Sequence, residues 1–556
     1  MRPLVLLALL LPACHKDKEE EPTTPPAGTL ALTTPAPAAW TASGASQASG
    51  TSANVTSLTV NGAIAHLPET GEFTADIQLD RGINIVEAVA TDERGDTLFA
   101  RNGVLAGDFG DPDGAVSNAV QLRVNQGGLD KICTIAEGIV TADTANSALP
   151  TLNPVVADSY LGVDVLVNLD SVTFGAPQLT IDPSPSVVSL QVVIPTLALD
   201  ASVYADAGVL GEYDTGFDIS ASSATIKADL ILGTTDGQLG VTLMNADVQL
   251  QDFAVGVDFL SFLDDVGLSS YRDLLGSVLQ STVEGMLVDQ ITTLVPPVLE
   301  ATLAGLAPSF STDLMGRTVN IGYAFADAGS DDDGLTLSLD LDVDFPSSGD
   351  HTYNGFLTAP FGEPEVDRHA DLGAALSDDL LNLTLFEAWR SGILELRLST
   401  DDGSLDPILL TQFKATQGTI TTFASLPPVI VEKGGGLVAQ VGEMIVTVDT
   451  PGGELGEHLV VAINGEIPLE VLIEDGALVL DVGSPALTMM VRDSDWGASN
   501  DTVTTLMESA LPLDTLLALL GNLSFPLPEL YGIRFDSGTA HRDDDGVHTD
   551  TTINLD

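Results

Sequence analysis

Residues 268–297 read LSSYRDLLGSVLQSTVEGMLVDQITTLVPP. Tyr271, Leu274, Leu275, Val278, Leu279, Val283, Met286, Leu287, Ile291, Leu294 and Val295 recur at steps of three and four. That spacing predicts one helix over 268–295 with a wide aliphatic face. At 1.5 Å per residue the helix reaches about 42 Å. Pro296-Pro297 is expected to break or kink it. A helix with so broad an apolar face needs a curved apolar sheet to cover it.

Strands with period-two alternation stand on both sides. Leu161, Val163, Val165, Val167 and Leu169 face one way, as do Ile226, Ala228, Leu230 and Leu232, and then Leu239, Val241 and Leu243. Ahead of them, residues 128–140 carry apolar side chains at 129, 132, 133, 136, 139 and 140, one helical stripe. The order then recurs. Leu335, Leu337, Leu339, Leu341 and Val343 alternate strictly. Residues 371–391 predict a second helix with Leu376, Leu380, Leu383 and Phe386 on its face. Strands are expected at 428–431, 437–448, 458–464, 467–473 and 477–482, a last amphipathic helix at 501–521, and a hairpin of 531–540 with 547–555. Each half of 116–556 thus reads helix, many strands, long helix: a duplication of architecture without visible sequence identity.

The front of the chain is different. Residues 1–14, MRPLVLLALLLPAC, hold a basic Arg2 and an apolar run too short to span a bilayer. Leu11-Pro12-Ala13-Cys14 resembles the bacterial lipobox, which implies a mature chain beginning at an acylated Cys14 in the cell envelope. His15, not Asp, follows the Cys, which by the enteric sorting rule favours the outer membrane. Residues 15–28, HKDKEEEPTTPPAG, read as a solvated tether. Residues 29–106 carry short strands, with Asn61-Gly62 as a hairpin signal. The run LTVNG…GEFTADIQLDRGINIVEAVATDERG resembles bacterial immunoglobulin-like domains, which implies a β-sandwich serving as spacer or platform.

Composition limits the function. The chain of 556 residues has 19 Lys+Arg against 80 Asp+Glu, a formal charge of −61. Such a surface repels phosphate backbones, so nucleic acid is excluded as a partner, and electrostatic docking on anionic headgroups is disfavoured. Disorder is excluded too, because 44% of residues are hydrophobic and mean hydropathy is +0.26. Aromatics make up 5%, so the interior is aliphatic. With the Cys14 thiol taken up by acylation in the processing segment, Cys133 has no intrachain partner and no thiolate metal cluster can form.

Four segments, in order across about 430 residues, resemble the bactericidal/permeability-increasing protein and its lipid-transfer relatives: VQLRVNQGGLDKI (120–132), LGAALSDDLLNLTLFEAWRSGILELRL (372–398), LPPVIVEKGGGLVAQVGEMIVTV (426–448) and NLSFPLPELYGIRFDSGTAHRDDDGVHTDTTI (522–553). The resemblance implies an α+β, mostly antiparallel fold of the tubular lipid-binding (TULIP) type. Two units, 116–315 and 316–556, would each wrap a twisted sheet around a long helix, end to end in a boomerang, around apolar tunnels. On that reading the lipid lies against Leu129, Ile132, Ala136, Ile139, Leu275, Leu279, Val283, Met286, Leu287, Leu376, Leu380 and Leu383, with Gly276, Gly285, Ala301 and Gly305 leaving room. Residue by residue a filled core is the better reading; for the set, the resemblance tips it towards a tunnel. The chain departs from the animal members in lacking their disulfide and the Lys/Arg clusters of the lipopolysaccharide binders, which argues against phosphate capture and bactericidal action.

Catalytic signatures are absent: no G-x-S-x-G, H-E-x-x-H, P-loop or dinucleotide fingerprint occurs, and the seven His are scattered. No enzyme activity, cofactor or metal is expected. The runs Asp111/Asp113/Gly114, Asp331/Asp333/Gly334 and Asp543/Asp545/Gly546 lack an acid at the first calcium-loop position and read as turns. The sequence therefore favours an envelope lipoprotein that holds or transfers an acyl-chain lipid. A structural or adhesive surface lipoprotein with solid barrels is the alternative.

Overall fold

The computed structural model describes residues 26–67, 71–139, 141–160, 163–206, 211–256, 261, 264, 272–307, 310–314, 317–345, 353–359, 364, 366, 371–474, 477–496, 503, 524–526, 539–542 and 548–553. Within them strand dominates and the sheets are overwhelmingly antiparallel.

Residues 29–106 form two facing sheets. One holds Thr29–Thr34, Gly44–Ala53 and Glu72–Leu79; the other holds Ala39–Thr41, Val55–Val60, Ala63–Ile64, Gly82–Asp92 and Thr97–Ala106. Alternation decides which side chains meet between them: Phe73, Ala75, Ile77 and Leu79 turn inward onto Leu58, Val60, Val86 and Val104. Asn61 and Gly62 take φ of 47° and 78°, the pair of positive angles that a type I′ hairpin requires. This sandwich is not a free spacer. Leu105, Ile83, Trp40 and Phe109 pack with Leu357, Leu426, Val429 and Val431. Ile83 N donates to Gln440 Oε1 at 2.7 Å, and Gly103 N donates to Glu443 Oε1 at 2.5 Å. A Cβ on Gly103 would meet Glu443 Cγ at 2.8 Å, so the close approach requires glycine. Arg492 closes the contact with a bidentate grip on Glu443 at 2.7 and 2.8 Å.

A central sheet runs in the order Phe310–Leu314, Arg317–Ser330, Gly334–Asp344, Val116–Asn125, Leu372–Ser377, His548–Ile553, Thr539–Arg542. Its strands come from both sides of the expected 315/316 boundary. Buried Arg123 crosses it: the guanidinium binds both oxygens of Asp331, donates to Thr336 Oγ1 at 2.7 Å, and its Nε donates to Asn125 Oδ1 at 2.9 Å. Asp331 also accepts from Asp333 N and Gly334 N, which makes the second Asp-x-Asp-Gly run a tight turn. The first run is a turn as well, with Gly114 N on Asp111 O. The third lies outside the described residues.

The first curved sheet orders Val156–Tyr160, Val163–Thr173, Val187–Asp206, Glu212–Thr235 and Gln238–Gln251, with Gln178–Ser184 added on Val187–Asp206. Helices α1 (Gln126–Ile139), α2 (Ala142–Leu152) and α3 (Arg272–Ala304) lie against it. The helix α3 does not stop at the prolines but runs through Pro296 and Pro297 for 33 residues, about 50 Å. Beyond them Thr302, Leu303 and Leu306 are buried, and Glu300 Oε1 accepts from Val241 N at 2.7 Å. That packing offsets the local penalty, on the order of 3 kcal/mol for an interior proline. Nor is the apolar surface confined to one tightly covered face. Leu279 and Val283 are buried, while Val278, Met286, Leu287, Val288, Ile291, Val295 and Leu299 are only half-buried.

The second curved sheet orders Arg397–Ser399, Thr419–Ala424, Gly436–Asp449, His458–Glu474, Ala477–Val482 and Ser524–Pro526, with Val429–Lys433 and Ala486–Ser494 at its sides. It covers α4 (Asp378–Arg390). The expected helix over 371–391 is therefore half strand. Residues Leu372–Ser377 pair with a neighbour on each edge and are buried on both faces, and this pairing overrides their helical spacing. Ser377 then caps α4, its hydroxyl accepting from Asp379 N at 3.2 Å. Fully buried Asp378 is gripped by Arg542 at 2.7 and 2.8 Å. The two strands expected at 458–464 and 467–473 are one. The helix expected at 501–521 lies outside the described residues apart from Val503. Of the expected 531–540/547–555 hairpin, Thr539–Arg542 and His548–Ile553 are described and paired.

The Arg123 guanidinium, helped by two backbone N–H groups, holds the Asp331 carboxyl down to about 2. A folded value below the ordinary one stabilises the fold above about pH 4, and the contribution is lost as pH falls through 2. Wild type should therefore lose melting temperature steeply between pH 4 and 2. Asp331→Asn should be less stable at pH 7 and flatter across that window in thermal melts.

Candidate binding cavity

The two longest strands of the first curved sheet share a defect. Inward positions follow every second residue from Val188 to Ile194 and from Leu197 to Ala205, but the step from Ile194 to Leu197 is three. The partner strand steps by three between Ala221 and Ala224, opposite it. Pro195, which has no N–H, and Thr196, at φ 51°, carry the irregularity. Beneath this bend the core does not close. A cavity of about 220 Å³ lies between the sheet and the helices.

Its walls are aliphatic. Ile132, Cys133 and Ala136 come from α1, and Ala145 and Leu149 from α2. The strands add Val172, Leu179, Ile181, Leu190, Ile194, Leu197 and Ile226, with Phe174 between two of them. Helix α3 adds Met286, Leu287, Ile291, Val295, Val298 and Leu299. Two polar side chains join them, Thr141 and Gln290, and both are uncharged. Thr141 is exposed and Gln290 half-buried, which puts the mouth between the α1–α2 junction and α3. A second void of about 20 Å³ continues past Ile132, Ile181 and Leu299 towards Leu129, Leu230, Thr302 and Leu303. Those first three side chains line both spaces and form the partition.

Polar pins hold the α1–α2 segment on the side away from α3. Asn146 and Asn153 mimic strand edges. Each amide donates to a carbonyl and accepts the N–H of the same residue, Val172 for Asn146 and Leu169 for Asn153, at 2.7 to 2.9 Å. Glu137 accepts from Leu179 N at 2.8 Å. These bonds fix one wall while the opposite wall, α3, is held to the sheet past its prolines by Glu300.

The candidate lining residues divide. Ile132, Ala136, Met286 and Leu287 line the cavity, and Leu129 lines the smaller void. Leu279 and Val283 face close-packed core instead, each 2% exposed. Ile139 and Leu275 sit in α1 and α3, with side chains outside the described residues. Leu376 is in a strand of the central sheet, and Leu380 and Leu383 are core residues of α4, each 1% exposed. Around α4 the interior is filled by rings: Phe386 lies 5.8 Å from Trp389 and 5.5 Å from Tyr353, and Trp389 Nε1 donates to Ala424 O. None of the four small residues expected to leave room lines the cavity; Gly285, Ala301 and Gly305 are exposed and Gly276 is half-buried. Cys14 lies outside the described residues. The sequence reading missed α2 because its Ser, Asn, Thr and internal Pro150 hide a helix, and it missed Gln290 because one polar residue interrupts the stripe.

Chemically the cavity offers burial and little else. Cys133 is its one thiol, and burial pushes that group up to about 11. The buried acid Glu387, raised to about 7 by desolvation, is in α4, paired with Arg390 at 3.0 Å.

No protein-family profile and no curated protein matches the sequence. Similar solved structures include the following three. Lipopolysaccharide binding protein has 15% identity over 79% of this chain and 99% of that one, with a TM-score of 0.39. P47 of Clostridium botulinum E1 has 10% identity over 80% and 100%, TM-score 0.27. P47 from Clostridium botulinum A2 has 9% identity over 79% and 99%, TM-score 0.29.

A thiol at about 11 is almost wholly protonated at pH 8. In a Cys14→Ser chain, Cys133 should react with a water-soluble aromatic disulfide roughly 100-fold more slowly than the same thiol after denaturation. Equal rates would place the thiol in solvent.

Proposed function

We propose that the chain is a lipid-binding envelope lipoprotein: acylated Cys14 anchors it, residues 15–28 tether it, and the cavity holds the acyl chain of a lipid. The cavity carries this reading. It is a space of about 220 Å³ walled mostly by aliphatic side chains. A dry apolar cavity of about 150 Å³ already takes a benzene ring. From Met286 to Leu299 the α3 wall spans about 20 Å at 1.5 Å per residue. One leaflet's share of a bilayer core is about 15 Å, so the space matches a single acyl chain in length. Each methylene transferred from water contributes about 0.8 kcal/mol, enough for a passive carrier with no catalytic group. The aromatic packing around α4 supports a structural role for the second curved sheet, which also seats the sandwich. The cargo therefore resides in the first.

Two measurements test the reading. Native mass spectrometry of the Cys14→Ser chain should find a bound lipid, and that chain should partition away from membranes while wild type stays with them. Ala136→Phe puts a ring into the cavity: lipid stoichiometry should fall, while the melting temperature of the delipidated protein changes by no more than a few degrees. Val283→Phe puts the same ring into filled core and should cost about 1–3 kcal/mol. No lipid in wild type, with Ala136→Phe as damaging as Val283→Phe, would leave a purely structural protein.

A further inference from the structure

The charge around the cavity restricts what its ligand's head can be. Residues 126–304, which build the cavity, contain three basic residues, Lys131, Lys227 and Arg272, against 23 acidic ones. Lys131 is 3.7 Å from the Asp371 carboxylate. Lys227 is exposed on the outer face of its strand, because its neighbour Ile226 faces the cavity. Arg272 opens α3, four turns before Met286. Among the described residues no basic side chain lines the cavity or the adjoining void. Acids stand on both wall helices. Glu137 adjoins Ala136 on α1, its carboxylate accepting from Leu179 N. Glu284 lies three residues before Leu287 and seven before Ile291, on the same face of α3, half-buried and joined to Gln280 Nε2 at 2.9 Å. The polar groups that do reach the space, Thr141 and Gln290, are neutral hydrogen-bonding groups.

We infer that the cavity selects single-chain lipids with an uncharged or cationic head and rejects anionic ones: Thr141 and Gln290 serve the head, while Glu284 and the acidic surface around the walls repel a carboxylate, sulfate or phosphate. This rests on the lipid-binding reading above. An anionic head at the mouth has no counter-charge and sits in a field of one sign, where surface potentials reach several kT. One such charge costs tenfold or more in affinity at low salt, and the penalty shrinks as the screening length falls from about 30 Å at 0.01 M to less than 8 Å at 0.5 M.

The test uses delipidated Cys14→Ser protein and four probes sharing a twelve-carbon chain, below their micelle concentrations: monolauroylglycerol, dodecyltrimethylammonium, laurate and dodecyl sulfate. Calorimetry at pH 8 in 0.01 M salt should find the neutral and cationic probes at least tenfold tighter than the anionic pair, with the gap closing at 0.5 M. Glu284→Lys should raise affinity for dodecyl sulfate several-fold and lower it for dodecyltrimethylammonium. The same charge change on the outer face, Asp247→Lys, should do much less. Anionic probes binding as tightly as neutral ones at 0.01 M would overturn the selectivity and leave the cavity's lipid role intact. Failure of all four to bind would overturn both.

Discussion

Everything after residue 115 depends on one strand being hydrogen-bonded on both edges. Val116–Asn125 accepts Gly334–Asp344 on one side and Leu372–Ser377 on the other. Neither edge is left to solvent, and both faces of its inner part are buried. Arg123 shows what this costs and how the cost is met. A guanidinium taken out of water must find acceptors for its donors, and it finds Asp331, Thr336 and Asn125 within its own sheet. The curved sheets at either end then hang from a shared middle, not from two independent domains.

The two curved sheets solve the same covering problem in opposite ways. Around α4 the sequence concentrates its scarce aromatics, with Tyr353, Phe386 and Trp389 in mutual contact and Trp40 reaching in from the sandwich. Large flat groups fill the space that sheet curvature leaves. Around α3 the side chains are Val, Leu, Ile and Ala, and at the Pro195–Thr196 bend they do not reach across. Helix α3 half-buries much of its apolar surface, and a cavity takes the place of a core.

Much of this was legible in the residues. Strict alternation at 335–343 gave a strand where one is found, and the 129/132/136 stripe gave α1, because each pattern is local and has one geometric solution. Errors came where distant partners decide. Leu372–Ser377 has helical spacing but two flanking strands; Pro296-Pro297 carries a stop signal but has Leu303 and Leu306 to bury beyond it. Stripes on α3 and α4 look alike in sequence, so the cavity could not be assigned to one of them: its walls depend on a bend in two strands and on α2, whose polar composition conceals it. Resemblance implied an apolar tunnel in each unit and did not set apart the ring-filled interior around α4.

The edge pairing of Leu372–Ser377 has a consequence for how the chain reaches its native state. Its outer partner, His548–Ile553, lies about 175 residues downstream, and its inner partner lies about 250 residues upstream. Contacts of such sequence separation form late, since loop closure must precede them. Until His548–Ile553 pairs with it, an apolar strand buried on both faces in the finished molecule stands with an open edge, the situation that invites pairing with a second chain. Removal of His548–Ile553 should thus promote aggregation during assembly as well as weaken the native sheet. Arg542, on the strand that pairs with it, reaches back to Asp378.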